Sequence, residues 1–98
     1  PKDEGSILAW AQEEVFAFVL YYKQKLDIKE KKHVEKWTKD IIDAALSCEG
    51  TYYLPYQPHA TKEQFMKAYP NYQRFFELKK EKDPNYRFKN VLWAKYYK

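Results

Sequence analysis

The sequence predicts an α+β module: a few antiparallel strands packed with one long helix and two or three short ones. Three observations carry that expectation. Residues 15–22, Val-Phe-Ala-Phe-Val-Leu-Tyr-Tyr, form a continuous apolar run rich in β-branched and aromatic residues. Residues 27–48 repeat apolar positions at three- and four-residue steps. Residues 51–57 alternate and include a proline, and helix-start signals follow them.

In chain order, Ile7-Leu8-Ala9-Trp10 reads as a short strand, with Gln12-Glu13-Glu14 as a connection. The run at 15–22 is apolar on both alternating faces, which is the pattern of a strand covered on both sides. Val34, Trp37, Ile41, Ala45 and Cys48 mark the core stripe of the long helix, which leaves His33 on the polar side. Asp27 followed by Glu30 is a start signal, and Gly50 a stop just past the end. Thr51–Gln57 reads as an edge strand, because Pro55 cannot donate to a ladder. Thr61-Lys-Glu-Gln64 has the capping-box pattern and opens a helix ending near Tyr69-Pro70. Asn71 is placed to cap the next helix, whose stripe is Tyr72, Phe75, Phe76 and Lys79. Asp83-Pro84-Asn85 is a turn, and residues 91–97 are amphipathic and helical.

Ninety-eight residues make at most one domain, or part of a larger one, and starting at Pro1 fits a piece of a longer protein. Ten Tyr, six Phe and three Trp exclude a disordered tail and suggest that some rings meet a partner surface. Charge is uneven: residues 1–61 hold eight Lys and ten Asp/Glu, whereas residues 62–98 hold ten Lys/Arg and four Asp/Glu. Cys48 is the only cysteine, so an intrachain disulfide is excluded and a reducing, cytoplasmic setting is favoured. No apolar run approaches the ~20 residues that cross a bilayer. With Gly5 and Gly50 as the only glycines, there is no glycine-rich phosphate loop. His33 and His59 lack a third ligand at metal-site spacing. Glu13 and Glu14 would point to opposite faces of a strand and make a poor acid/base pair.

The series Tyr53-Leu-Pro-Tyr-Gln-Pro-His-Ala-Thr-Lys-Glu-Gln-Phe65, Lys67-Ala-Tyr-Pro70, Phe75-Phe76, Lys79-Lys-Glu-Lys-Asp-Pro84, Phe88-Lys-Asn90 and Tyr96-Tyr97 resembles the C-terminal segment of FAD-linked oxidases. Aldonolactone oxidases and related bacterial FAD/FMN-containing dehydrogenases end in a similar ordered set, covering residues 52–97 here. Residues 6–50 resemble the preceding strand and helix of that family's cap domain in general pattern only.

The resemblance implies a two-part flavoenzyme. An N-terminal domain, outside this chain, would hold FAD, and residues 1–98 would belong to the cap that covers the isoalloxazine ring and lines the pocket for an alcohol or sugar-lactone substrate. Residues 6–50 would supply a strand and the long helix of the cap, and 51–98 the substrate-site strand and closing helices. The catalytic position that the family fills with a lysine falls on Tyr56, with Tyr53, Gln57 and His59 as substrate-binding candidates and Asn90 as a cofactor contact. Tyr56 departs from the lysine: it donates a hydrogen bond but brings no positive charge at neutral pH. The other readings are a core ring for Tyr56, a solvent-facing Gln57 and a plain loop residue for His59. Two further classes stay open. Residues 62–98 are basic with interleaved rings, as in a small nucleic-acid-binding module. Trp93, Lys95, Tyr96, Tyr97 and Lys98 form a one-turn patch suited at most to weak peripheral membrane association.

Overall fold

A computed structural model describes residues 1–55 and 57–97. It contains α1 (Ile28–Ser47), α2 (Lys62–Ala68), α3 (Tyr72–Lys82) and α4 (Val91–Tyr96). No strand occurs among the described residues, so the chain is helical and the α+β expectation with antiparallel strands is corrected.

The physical reason is that strands exist only as ladders, and here the ladder groups are unpaired or taken. No backbone group of residues 15–25 makes a hydrogen bond among the described residues. In the segment before α2 the Tyr52 carbonyl accepts from the Tyr69 hydroxyl. The Trp10 carbonyl likewise accepts from the Thr51 hydroxyl. Residues 7–10 lie in a loop that the Asp3 amide closes by donating to the Ala11 carbonyl at 2.8 Å.

α1 begins at Asp27, whose carboxylate accepts from the Glu30 amide at 2.8 Å. Its buried residues are Val34, Ile42 and Leu46. Val34 is buried as predicted and Trp37 and Ala45 are half-buried, but Ile41 and Cys48 are exposed; in the second half of α1 the buried positions lie one residue further on, and Cys48 is not a core residue. The helix ends in a double bond typical of a Schellman motif: Glu49 N donates to Leu46 O and Gly50 N to Ala45 O. The left-handed residue is Glu49, at φ 58°. Gly50 serves by its size, since a Cβ there would sit 2.9 Å from the Ala45 carbonyl oxygen.

The capping box at Thr61 and Gln64 is present as expected. Gln64 also reaches across to α1, donating to Lys39 O at 3.0 Å and Asp43 Oδ1 at 2.7 Å. Its side chain is thereby satisfied although only 6% of the residue is exposed. Asn71 precedes α3 but its side chain makes no capping bond. Phe65 is the centre of the core: fully buried, it stacks on Tyr96 at 4.4 Å between ring centroids and 8° between planes. Ile42, Leu46, Ala60, Ala68 and Tyr69 complete that cluster. The N-terminal loop is tied to it by Gln12, which donates to Ala68 O at 2.8 Å.

The Cα radius of gyration is 14.8 Å and the shortest dimension 19 Å. A closed domain of ~100 residues has a radius near 13 Å. The excess matches a helical slab from which the apolar segment 15–22 stands away.

Candidate functional site

The loop between α1 and α2 carries most of the candidate residues. It is held from both sides: Tyr69 fastens Tyr52 from below, and the Lys95 ammonium donates to the Pro58 carbonyl. Between these fixings, Leu54, Pro55 and Pro58 face Asn90, Val91 and Leu92 across an open hollow of about 270 Å³. A second hollow of about 320 Å³ lies beside Lys2, Asp3, Tyr69 and Asn71. It is open and polar and holds none of the candidates.

Of the sequence-predicted residues that the structure describes, Asn90 lines the smaller hollow. Its Oδ1 caps α4 by accepting from the Trp93 amide at 2.8 Å, which leaves its amide nitrogen as a donor for a ligand. Gln57 is exposed, and its carbonyl accepts from the His59 amide at 2.8 Å. Tyr53 turns the other way and packs edge-on against Trp10, with centroids 5.8 Å apart. Tyr56 lies outside the described residues. His59 is half-buried. Desolvation lowers its pKa below the ordinary histidine value; Glu35 opposes this, while Lys95 and Lys39 reinforce it. Desolvation, then Lys39, also lowers Lys95. Lys39 in turn donates to Glu35 at 2.6 Å. Four residues from α1, the loop and α4 thus form one polar junction, which sequence reasoning did not assemble because its members are far apart in the chain.

Beneath the loop sits a tyrosine cluster. Tyr69 meets Tyr52 edge-on at 5.6 Å. The Tyr96 hydroxyl donates to Ala60 O at 3.0 Å. The Tyr52 hydroxyl is buried with no hydrogen-bond partner among the described residues. Burial first, then the charge and the hydroxyl of Tyr96, a weak contact short of ordinary hydrogen-bond geometry, and last Tyr69, holds its phenol far above the ordinary range, so it is a neutral group and no base.

Among the described residues no cluster of His, Cys, Asp and Glu is arranged to hold a metal. FAD does not fit this chain as its sole host. The two hollows, about 270 and 320 Å³, lie near the lower bound of the ~300–1,000 Å³ of pockets that enclose a drug-sized ligand, and no glycine-rich turn is present for the pyrophosphate. Also among the described residues, no helix is long and apolar enough to cross a membrane. Comparison with protein families, curated proteins and solved structures finds no match to this chain.

Proposed function

We propose that this chain is the C-terminal part of an FAD-dependent oxidoreductase acting on an alcohol or sugar-lactone substrate, with a separate N-terminal domain holding the cofactor. The observation that carries the reading is the ordered residue series over 52–97, whose members are also the joints of the fold. Phe65, Tyr69 and Tyr96 are the three fully buried large side chains. Asp83 fixes the turn after α3 by accepting from the amides of Arg87 and Phe88 at 2.9 and 3.0 Å, and Asn90 starts α4. A sequence pattern that coincides with core and caps describes a folded unit. Tyr53, Pro55 and Gln57, exposed in the loop before α2, lie outside that core.

In this reading the flavin would supply the hydride-accepting chemistry when bound to its own domain. The residues of this chain would exclude water and orient substrate: Leu54, Val91 and Leu92 as apolar wall, Gln57 and the Asn90 amide as donors, Tyr56 as a neutral hydrogen-bonding group near the reacting carbon. The nucleic-acid alternative is less well supported, since the rings of the basic half are turned on one another. Trp93 stacks on Tyr97 at 3.8 Å, and Phe76 meets Trp93 edge-on at 5.3 Å, which leaves few free faces for bases.

The test is a pair of flavin-binding measurements. The 98-residue chain titrated with FAD should show weak or no binding, whereas the protein expressed together with its N-terminal domain should retain flavin. Tight FAD binding by the isolated chain, or an intact protein without flavin, would overturn the proposal.

A further inference from the structure

The largest feature that the proposed function does not use is the segment 15–22. Phe16, Phe18 and Tyr21 are 94%, 92% and 95% exposed, and Val15, Val19, Leu20 and Tyr22 are exposed as well. Only its end is anchored: Tyr22 meets Trp37 edge-on at 5.4 Å, and its hydroxyl donates to Glu30 at 2.6 Å. The segment contains no charge, glycine or proline. Its backbone groups make no hydrogen bond among the described residues. A free row of backbone donors and acceptors with apolar side chains is a template for strand pairing.

The flanks select the partner. Glu13 and Glu14 precede the segment and Lys23 and Lys25 follow it, all exposed. We infer that residues 15–22 pair antiparallel with the same residues of a second copy of this chain, the acidic flank of each copy meeting the basic flank of the other. Side chains of a strand alternate between faces, so a symmetric antiparallel pair has its two-fold axis through a residue rather than between two. With the axis at Phe18, Glu13 falls opposite Lys23, Val15 opposite Tyr21 and Phe16 opposite Leu20. With the axis at Val19, Glu13 falls opposite Lys25. Both registers oppose unlike charges and join β-branched, aliphatic and aromatic residues, the pairs that stabilise antiparallel strands. Parallel in-register pairing would set acid against acid and base against base. This inference stands independently of the flavoenzyme reading.

The test is the molar mass of the 98-residue chain by light scattering or sedimentation from about 1 μM to about 1 mM, with circular dichroism as the check on folding. The mass is expected to rise to that of a dimer, and strand signal to rise with it. Glu13→Lys/Glu14→Lys and Lys23→Glu/Lys25→Glu change exposed side chains, so each variant should keep its helices but lose association. An equimolar mixture of the two should associate again. A single-chain mass throughout the range would overturn the inference. So would association that persists in both charge variants and shows no preference for their mixture, since it would place the contact elsewhere.

Discussion

Removing one hydroxyl from each of two neighbouring tyrosines should move stability in opposite directions. The Tyr52 hydroxyl is buried without a hydrogen bond of ordinary geometry among the described residues, and its interaction with the neighbouring Tyr96 hydroxyl offsets only part of a desolvation cost of about 1–3 kcal/mol for a polar group of this kind. Tyr52 is only half-buried as a residue, which favours the lower end. Tyr52→Phe should therefore stabilise the chain by about 1 kcal/mol, or raise Tm by roughly 4–8 °C in a domain of this size. Tyr96 is 1% exposed and donates to the buried Ala60 carbonyl. Tyr96→Phe removes that bond, leaves the carbonyl unpaired and should cost about 1–3 kcal/mol. The ring stack on Phe65 survives both changes. The assay is urea unfolding followed by circular dichroism, reading a midpoint shift at constant slope. If Tyr52→Phe destabilises by about 1 kcal/mol or more, the Tyr52 hydroxyl bonds Tyr96 strongly enough to offset its burial, which refutes this reasoning.

Three further outcomes are expected. Lys79, with the Arg87 and Phe88 amides, holds the Asp83 carboxyl down to about 2, below the unfolded value of about 3.9. That stabilisation is complete above the unfolded value and is lost as pH falls through the folded one, so Tm should drop between about pH 4 and 2, and Asp83→Asn should flatten the drop while lowering Tm at neutral pH. At the end of α1, Glu49→Gly relieves a left-handed residue and should stabilise by about 0.5–1 kcal/mol. Gly50→Ala meets the Ala45 carbonyl and should destabilise by about 1–3 kcal/mol, both read by thermal melts. In the intact protein, Tyr56→Phe should lower the rate of flavin reduction by about one to three orders of magnitude and change stability by less than about 1 kcal/mol. Unchanged turnover per folded molecule would remove Tyr56 from the site.

The helices were legible because their signals are local. Asp27 with Glu30 and Thr61 with Gln64 act within one turn, and the Tyr72, Phe75, Phe76, Lys79 stripe is half-buried as read. The second half of the α1 stripe was displaced because Trp37 and Ile41 suggest an apolar face as strongly as Ile42 and Leu46 do, and α2 decides between them through Gln64 bonding to Lys39 and Asp43. The strands failed for a different reason. Residues 15–22 have every local property of a strand, but pairing is a property of two segments, and among the described residues no backbone group bonds to theirs. For the candidate site, the sequence marked the loop at 53–59 and Asn90. The Lys95 contact to Pro58, the polar junction at His59 and the apolar wall of Val91 and Leu92 are long-range and left no local signal.

The central claim, that this chain covers the substrate side of a flavin in a larger oxidoreductase, is tested most directly by anaerobic reduction of the intact protein. Purified with its N-terminal domain and mixed with a panel of alcohols and sugar lactones, it should carry an oxidised flavin spectrum that bleaches with at least one substrate and returns when an electron acceptor is admitted. An intact protein that carries no flavin, or a bound flavin that none of the panel bleaches, would contradict the claim.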